Sequence, residues 1–373
     1  MFIPDTPNED LSQLRELVAD FLARKFPTVD SGPPPEDGHT YDRALWTAFG
    51  GELGLAGLGI DEELGGSGGG IEEIVVVLEE LGRALAPTPY FGTVGLASTL
   101  LLQLPPSAER DDLLRHIASG DTTATVAYCG GEGAWDLSDV PADASNDDGA
   151  WRITGKRSFV IDGPTADVVL VPARTEAGLA VFSVPGIDPS VTRTELRTLD
   201  LTRPQAHIEF DSAPAQILGA EGAAEKPLER ALRLALLAQS AEQVGAAEYI
   251  LSSTLEYAKY RYQFGRSIGS FQAIKHKLAD LVFDLERMKS AETKLVELAA
   301  SHSPDFPMMA HLAKAFCSEA FFRIAAESVQ IFGGIGFTWE HSAHLYFRRA
   351  KSTELLLGTP THHREAMLLQ LGA

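Results

Sequence analysis

Apolar residues recur at the spacing of one helix face from Leu11 to about Phe26, and Asp10 or Ser12 stands where a helix start is capped. A Pro/Gly-rich link from Ser31 to Gly38 follows, and a second helix is expected over roughly Tyr41 to Leu53. Gly54 to Gly70 reads as a glycine-rich loop, Ile71 to Leu85 as a strongly apolar helix, and the stretch to about Gly120 as a helical hairpin. At Thr122 the period changes. Short β-prone runs (Ala124-Tyr128, Trp151-Thr154, Ser158-Ile161, Val168-Pro172, Leu179-Val184 and Ala206-Phe210) are separated by turn residues such as Asn146-Asp-Asp-Gly149 and Asp162-Gly-Pro164. From Lys226 the helical period returns in four long runs, Ala231 to Tyr260, Phe271 to Ser301, Pro307 to Phe332 and His341 to Leu371. Long helices with short links predict an up-down bundle. The chain is therefore expected to be α+β, mostly α. An N-terminal helical domain (1–121) precedes a small antiparallel β-domain (122–225) and a C-terminal four-helix bundle (226–373). The strands do not alternate with helices, so no Rossmann sheet is expected.

Composition narrows the partners. The chain has 373 residues, enough for two or three packed units, and 45% hydrophobic against 22% charged residues marks an ordinary globular protein. A net charge of -21 argues against nucleic acid, whose phosphates need a cationic surface. Cys129 and Cys317 stand far apart in no metal-ligand spacing, which suits a reducing cytoplasm and predicts no metal site. No secretory signal or membrane-spanning apolar run is read in the sequence. His362 and His363 are neighbours on a helix, so they point roughly 100° apart and would rarely share an ion. Gly65 to Gly70 lacks the Lys-Ser/Thr of a phosphate loop and reads as a turn. Arg203 suits a CoA phosphate or a structural pair with Asp200, the latter preferred.

The densest chemistry lies between two helical runs, in Arg261-Tyr-Gln-Phe-Gly-Arg266 and Ser270-Phe-Gln272. A planar guanidinium suits phosphate oxygens, and glycine admits close approach. Gln330-Ile-Phe-Gly-Gly-Ile-Gly336 repeats that chemistry. With Gly54 to Gly66, Glu79-Glu-Leu-Gly-Arg83, Leu199-Asp-Leu-Thr-Arg203, Gly336-Phe-Thr-Trp-Glu-His341 and Arg348-Arg-Ala-Lys351, all in order, the chain resembles the acyl-CoA dehydrogenase family over nearly its whole length. The ending at His341 is similar to the actinobacterial branch that handles lipid and steroid acyl-CoA esters.

The resemblance implies α,β-desaturation of an acyl-CoA thioester. The chemistry requires a carboxylate base, donors that polarise the carbonyl, and a held, tuned flavin. It implies FAD shared across a subunit interface. Arg261, Phe264, Gln272, Gln330, Gly333 and Gly334 match the residues that one subunit lends to its neighbour's ADP half. The residues a subunit uses itself do not match. Cys129-Gly-Gly-Glu-Gly-Ala-Trp-Asp136 replaces the family's Thr-Glu-Pro-Gly-Ala-Gly-Ser-Asp. Ile161 stands where a hydroxyl meets the flavin near N5. Leu357, in Leu356-Leu-Gly-Thr359, takes the place of the Glu base. The other family base position, counted back from Arg261, falls on Ala235.

The losses sort by role. The resemblance thus implies an α2β2 dehydrogenase in which this chain carries no catalytic residue, completes its partner's FAD site, and passes electrons through the complex to an electron-transfer flavoprotein. Two alternatives remain at this level. One is a competent homotetramer with a relocated base at Glu229, Glu242 or Glu354. The other is a non-enzymatic protein that binds CoA esters.

Overall fold

The computed structural model describes residues 9–26, 42–130, 140 and 144–371. The helices are α1 (Glu9–Lys25), α2 (Arg43–Trp46), α3 (Ile71–Ala84), α4 (Thr99–Gln103), α5 (Ala108–Ala118), α6 (Glu225–Tyr260), α7 (Gln272–Ala300), α8 (Phe306–Phe332), α9 (Ala343–Leu355) and α10 (Pro360–Gln370). The strands are β1 (Ala124–Val126), β2 (Ala144–Asp147), β3 (Ala150–Ile161), β4 (Val168–Thr175), β5 (Gly178–Pro185), β6 (Val191–Glu195), β7 (Gln205–Ile217), β8 (Tyr262–Gln263) and β9 (Arg266–Ser267). The chain divides into two compact units, one of Met1–Pro34, Gly70–Ala86 and Leu236–Ala373, the other of Pro35–Gly69 and Pro87–Ala235.

The first unit is helical. On α7 the buried positions Leu278, Leu281, Leu285, Met288, Glu292, Leu295 and Leu298 follow at three- and four-residue steps, a single stripe down one face. Its first four residues, Leu278 to Met288, join Val244, Ile250 and Leu251 of α6, Phe321 and Ile324 of α8, and Tyr346 and Ala350 of α9 in one core. Helix α3 meets α6 backbone to backbone. A Cβ on Gly82 would stand 2.1 Å from the Glu242 carbonyl oxygen, and one on Gly245 would stand 1.9 Å from that of Glu79. Only two glycines facing each other's helix allow this approach. Ion pairs flank the crossing: Arg15 to Glu79 and Glu80, Arg83 to Glu80 and Glu248, and Lys289 to Glu248.

The run expected as one helix from His341 to Leu371 is two helices. Leu357 (φ 62) and Gly358 (φ 105) are left-handed, Thr359 caps α10 through its side chain, and Pro360 opens it.

In the second unit the main sheet runs β1-β4-β5-β7-β3-β2, with β6 added to β7. Its pairs are antiparallel except β1 with β4, which is parallel. The expected runs Trp151-Thr154 and Ser158-Ile161 are one strand, β3, whose register against β7 shifts between Ile153 and Gly155 and again between Arg157 and Val160. Such bulges interrupt alternation, which is why the sequence read as two strands. Phe49, Trp46 and the segment Phe91–Ser98, wound as a π-helix, are buried in this unit.

Candidate functional site

Up-down order brings the C-terminus of α6, the N-terminus of α7 and the C-terminus of α8 to one end of the bundle, and the anion-suited residues lie there. After α6 the chain makes the hairpin β8–β9, with Gln263 paired to Arg266. Phe264 (φ 52) and Gly265 (φ 77) are its two central residues. Two positive φ values in a two-residue loop are the I′ geometry, which glycine adopts freely and phenylalanine does not. Phe264 is nonetheless 92% exposed. Its ring meets Phe271 edge-on at 6.3 Å, and the Arg266 guanidinium lies over Phe271 at 4.0 Å.

Arg261 is exposed, and among the described residues its guanidinium makes no ion pair. Gln272, also exposed, lies 2.8 Å from the His276 ring nitrogen one turn on. Gln330 is exposed on the last turn of α8. Gly333 (φ 68) ends that helix, and a Cβ on Gly333 or Gly334 would meet nothing within 4 Å. Tyr257 ties the two loops together. Its ring lies 4.8 Å from that of Phe332, and its hydroxyl donates to the Phe332 carbonyl at 3.4 Å. The bundle end therefore offers a guanidinium, two amides, an aromatic and an open glycine backbone to solvent.

The positions at which a subunit would do its own chemistry are buried and aliphatic. Leu357 is 4% exposed, and Ala235 and Ile161 are likewise buried. Glu229 pairs with Arg233 at 3.5 Å and Glu354 with Lys351 at 2.9 Å. Glu242 is buried, beside the glycine crossing. In the second unit the Ile161 carbonyl accepts from the Thr125 hydroxyl at 2.6 Å. The neighbouring Asp162 accepts from the Gly92 amide at 3.1 Å. Arg157 is fully buried and donates to the carbonyls of Ala127, Lys156 and Pro172. Burial pushes the nearby Cys129 thiol up to about 12. Of the Cys129 to Asp136 segment, the residues from Gly131 on, Trp135 among them, lie outside the described residues.

Other sequence candidates resolve as structure. Gly66 sits so tightly that a Cβ would stand 2.0 Å from the Ile60 carbonyl oxygen, which makes the glycine-rich loop a packed turn. The Arg203 guanidinium lies 4.5 Å over the Phe91 ring, while Asp200 accepts from the amide and hydroxyl of Thr202. His363 is buried and faces His311, the two Nδ1 atoms 2.9 Å apart. Burial and the charges of Lys314 and His311 hold it down to about 2. No group of three or more metal-ligating side chains is found among the described residues.

The sequence reading passed over Lys314. It is fully buried on α8 and donates to the Ser318 hydroxyl at 2.9 Å and to the carbonyls of Thr353 and Glu354 at 2.8 and 3.3 Å. Those carbonyls end α9, so Lys314 caps the helix that leads into Leu357. Burial pulls its amine down to about 7. A lysine inside the apolar stripe Ala310, Ala313, Cys317, Phe321 was the available signal.

Two family models match the chain: the acyl-CoA dehydrogenase N-terminal domain over residues 8–121 and the C-terminal domain over 228–371. Acyl-CoA dehydrogenase IpdE2 of Mycobacterium tuberculosis is 34% identical over 355 residues, 95% of each chain. A chain of the ChsE4-ChsE5 complex from Mycobacterium tuberculosis superposes with a TM-score of 0.88 at 31% identity, over 99% of each chain. The steroid ACAD Tcur3481-Tcur3483 gives a TM-score of 0.87 at 28% identity, over 98% of this chain and 99% of that one.

Proposed function

The chain belongs to the acyl-CoA dehydrogenase family of oxidoreductases, and we propose that it is the subunit of a heteromeric member that completes its partner's flavin site without contributing the base. Members of the family are FAD-dependent. FAD supplies the hydride acceptor for α,β-desaturation of the thioester. Arg261, Phe264, Gln272, Gln330, Gly333 and Gly334 would hold its ADP half from across the interface. Arg261 would meet phosphate oxygens as a charged donor, and the open backbone at Gly333 and Gly334 would admit them closely.

One observation carries this reading: Arg261, Phe264, Gln272, Gln330 and Gly334 are exposed at one end of the bundle, with Gly333 half-buried beside them, while Leu357, Ala235 and Ile161 are buried aliphatic side chains. A leucine or alanine accepts no proton, and an isoleucine side chain donates no hydrogen bond. The substrate class is an acyl-CoA with a lipid or steroid side chain, in keeping with the steroid description of one structural relative. The partner is a second acyl-CoA dehydrogenase subunit that carries the base, in an α2β2 assembly served by an electron-transfer flavoprotein. The heteromeric ChsE4-ChsE5 structure supports that arrangement.

Expression alone and with a base-bearing partner subunit tests it. Alone, the chain should carry no stoichiometric flavin and turn over no acyl-CoA. The complex should hold fewer flavins than subunits, read from flavin absorbance against protein. Full flavin and turnover in the isolated chain would sink the proposal.

A further inference from the structure

Where α1, α3, α6 and α7 meet, the paired charges balance. Arg15, Arg83 and Lys289 engage Glu79, Glu80 and Glu248, three bases with three acids. Glu292 is a fourth acid. It lies on the buried stripe of α7 between Met288 and Leu295, 4% exposed. Among the described residues it makes no ion pair. Its hydrogen-bond partner is another carboxyl, that of Glu79 on α3, whose side chain is 13% exposed.

Two ionised carboxylates cannot make that contact. Every oxygen accepts, none donates, and both charges are held out of water. One proton between them removes the repulsion and supplies the missing donor. Burial first, and then the Glu79 charge, hold the Glu292 carboxyl well above the usual carboxylate range, against the pull of Arg15 and Lys289. Glu79 is the partner that stays ionised, because Arg15 bonds it directly.

We propose that Glu79 and Glu292 share one proton, and that this proton is a pH-sensitive clasp between α3 and α7, closing the crossing while it is bound and loosening it when it leaves. Nothing nearby can absorb the charge that its loss creates. Arg15 on α1 is divided between Glu79 and Glu80, and Lys289 on α7 is engaged by Glu248 of α6. On α8 the Cys317 thiol is pushed up by burial and then by Glu292, so it stays neutral. The clasp is independent of the acyl-CoA reading.

A carboxyl raised in this way keeps its proton in the folded chain at pH values where the unfolded chain has released it. Stability should therefore fall as pH rises above about 4.5, the unfolded value, until the folded carboxyl itself ionises.

Infrared spectra of the full chain near neutral pH test the proton. They should show the C=O stretch of a buried protonated carboxyl, shifted in D2O and lost in Glu292→Gln. Its absence from the wild-type spectrum overturns the proposal, and that outcome needs no variant to fold. Denaturant melts test the linkage. Glu292→Gln keeps a donor for Glu79 but cannot ionise, so comparison with it cancels other titrating groups such as Lys314. The wild-type unfolding constant relative to the variant's should rise across that pH range, by up to about tenfold per pH unit. A ratio that does not change with pH overturns the proposal even where the band is seen. Should Glu292→Gln not fold, Glu292→Met serves both measurements. Hydrogen exchange reads the crossing itself. Corrected for the intrinsic rate, amides of α3 and α7 around Glu79 and Glu292 should exchange faster as pH rises in the wild type and not in the variant. Equal protection at every pH overturns the clasp.

Discussion

The exposed end of the bundle and its buried interior treat ligand chemistry in opposite ways. At the end, Arg261, Phe264, Gln272 and Gln330 face solvent, and Phe264 holds a left-handed conformation that phenylalanine rarely adopts. A strained aromatic presented to water persists where the rest of the structure over-determines it, which is common at functional sites. Inside, the Leu356-Leu-Gly-Thr359 turn is equally strained, with two left-handed residues, a capping lysine below and imidazoles against Gly358. Yet the side chain this turn presents is inert. The turn shape does not by itself make a catalytic site. The atoms at its apex decide.

The sharpest way to break the contrast is Leu357→Glu. A carboxylate at a position 4% exposed should cost about 3 kcal/mol of stability. It should yield no turnover, since Ile161 still offers no hydroxyl. Steady-state assay with an acyl-CoA and an artificial electron acceptor checks this, and activity from that single change would show that the interior is one residue from competence.

Next in size is Arg261→Ala in the co-purified complex. A hydrogen bond to a charged group is worth about 1.5–3 kcal/mol, so flavin should be held roughly one to two orders of magnitude more weakly. Flavin absorbance after dialysis reads the loss, and unchanged content would mean that the exposed end serves something else.

The smallest effect at neutral pH is that of Lys314→Met. The folded pKa of Lys314 is pulled down from 10.5 to about 7 by burial, so between those values the unfolded chain binds the extra proton. Stability should therefore rise with pH across about 7 to 10.5, by at most about 1.4 kcal/mol per pH unit from this group. The methionine variant should flatten that rise in denaturant melts, and an unaltered slope would show that the lysine stays charged.

Helical periodicity made α1, α3 and the long bundle helices legible, because each buries a continuous stripe. Motif spacing made Arg261 and Gln330 legible as candidates. Their exposure was not legible, since it depends on how α6, α7 and α8 end together. The break at Leu357 was missed because the apolar pattern runs on through Leu356 and Leu357, although Gly358 and Pro360 both marked it. Gln243 was passed over because a glutamine on a long helix is ordinarily a surface residue, yet it is buried and donates to Ser318 of α8 and Thr353 of α9.

The reciprocal contact of Gly82 and Gly245 limits what this fold can become. Where side chains mediate a helix crossing, a lineage can drift through compensating pairs, one residue growing as its neighbour shrinks. Here each glycine faces a peptide carbonyl, which no mutation can shorten. A side chain at either position must therefore push the two helices apart, and no change in a neighbouring side chain makes room for it.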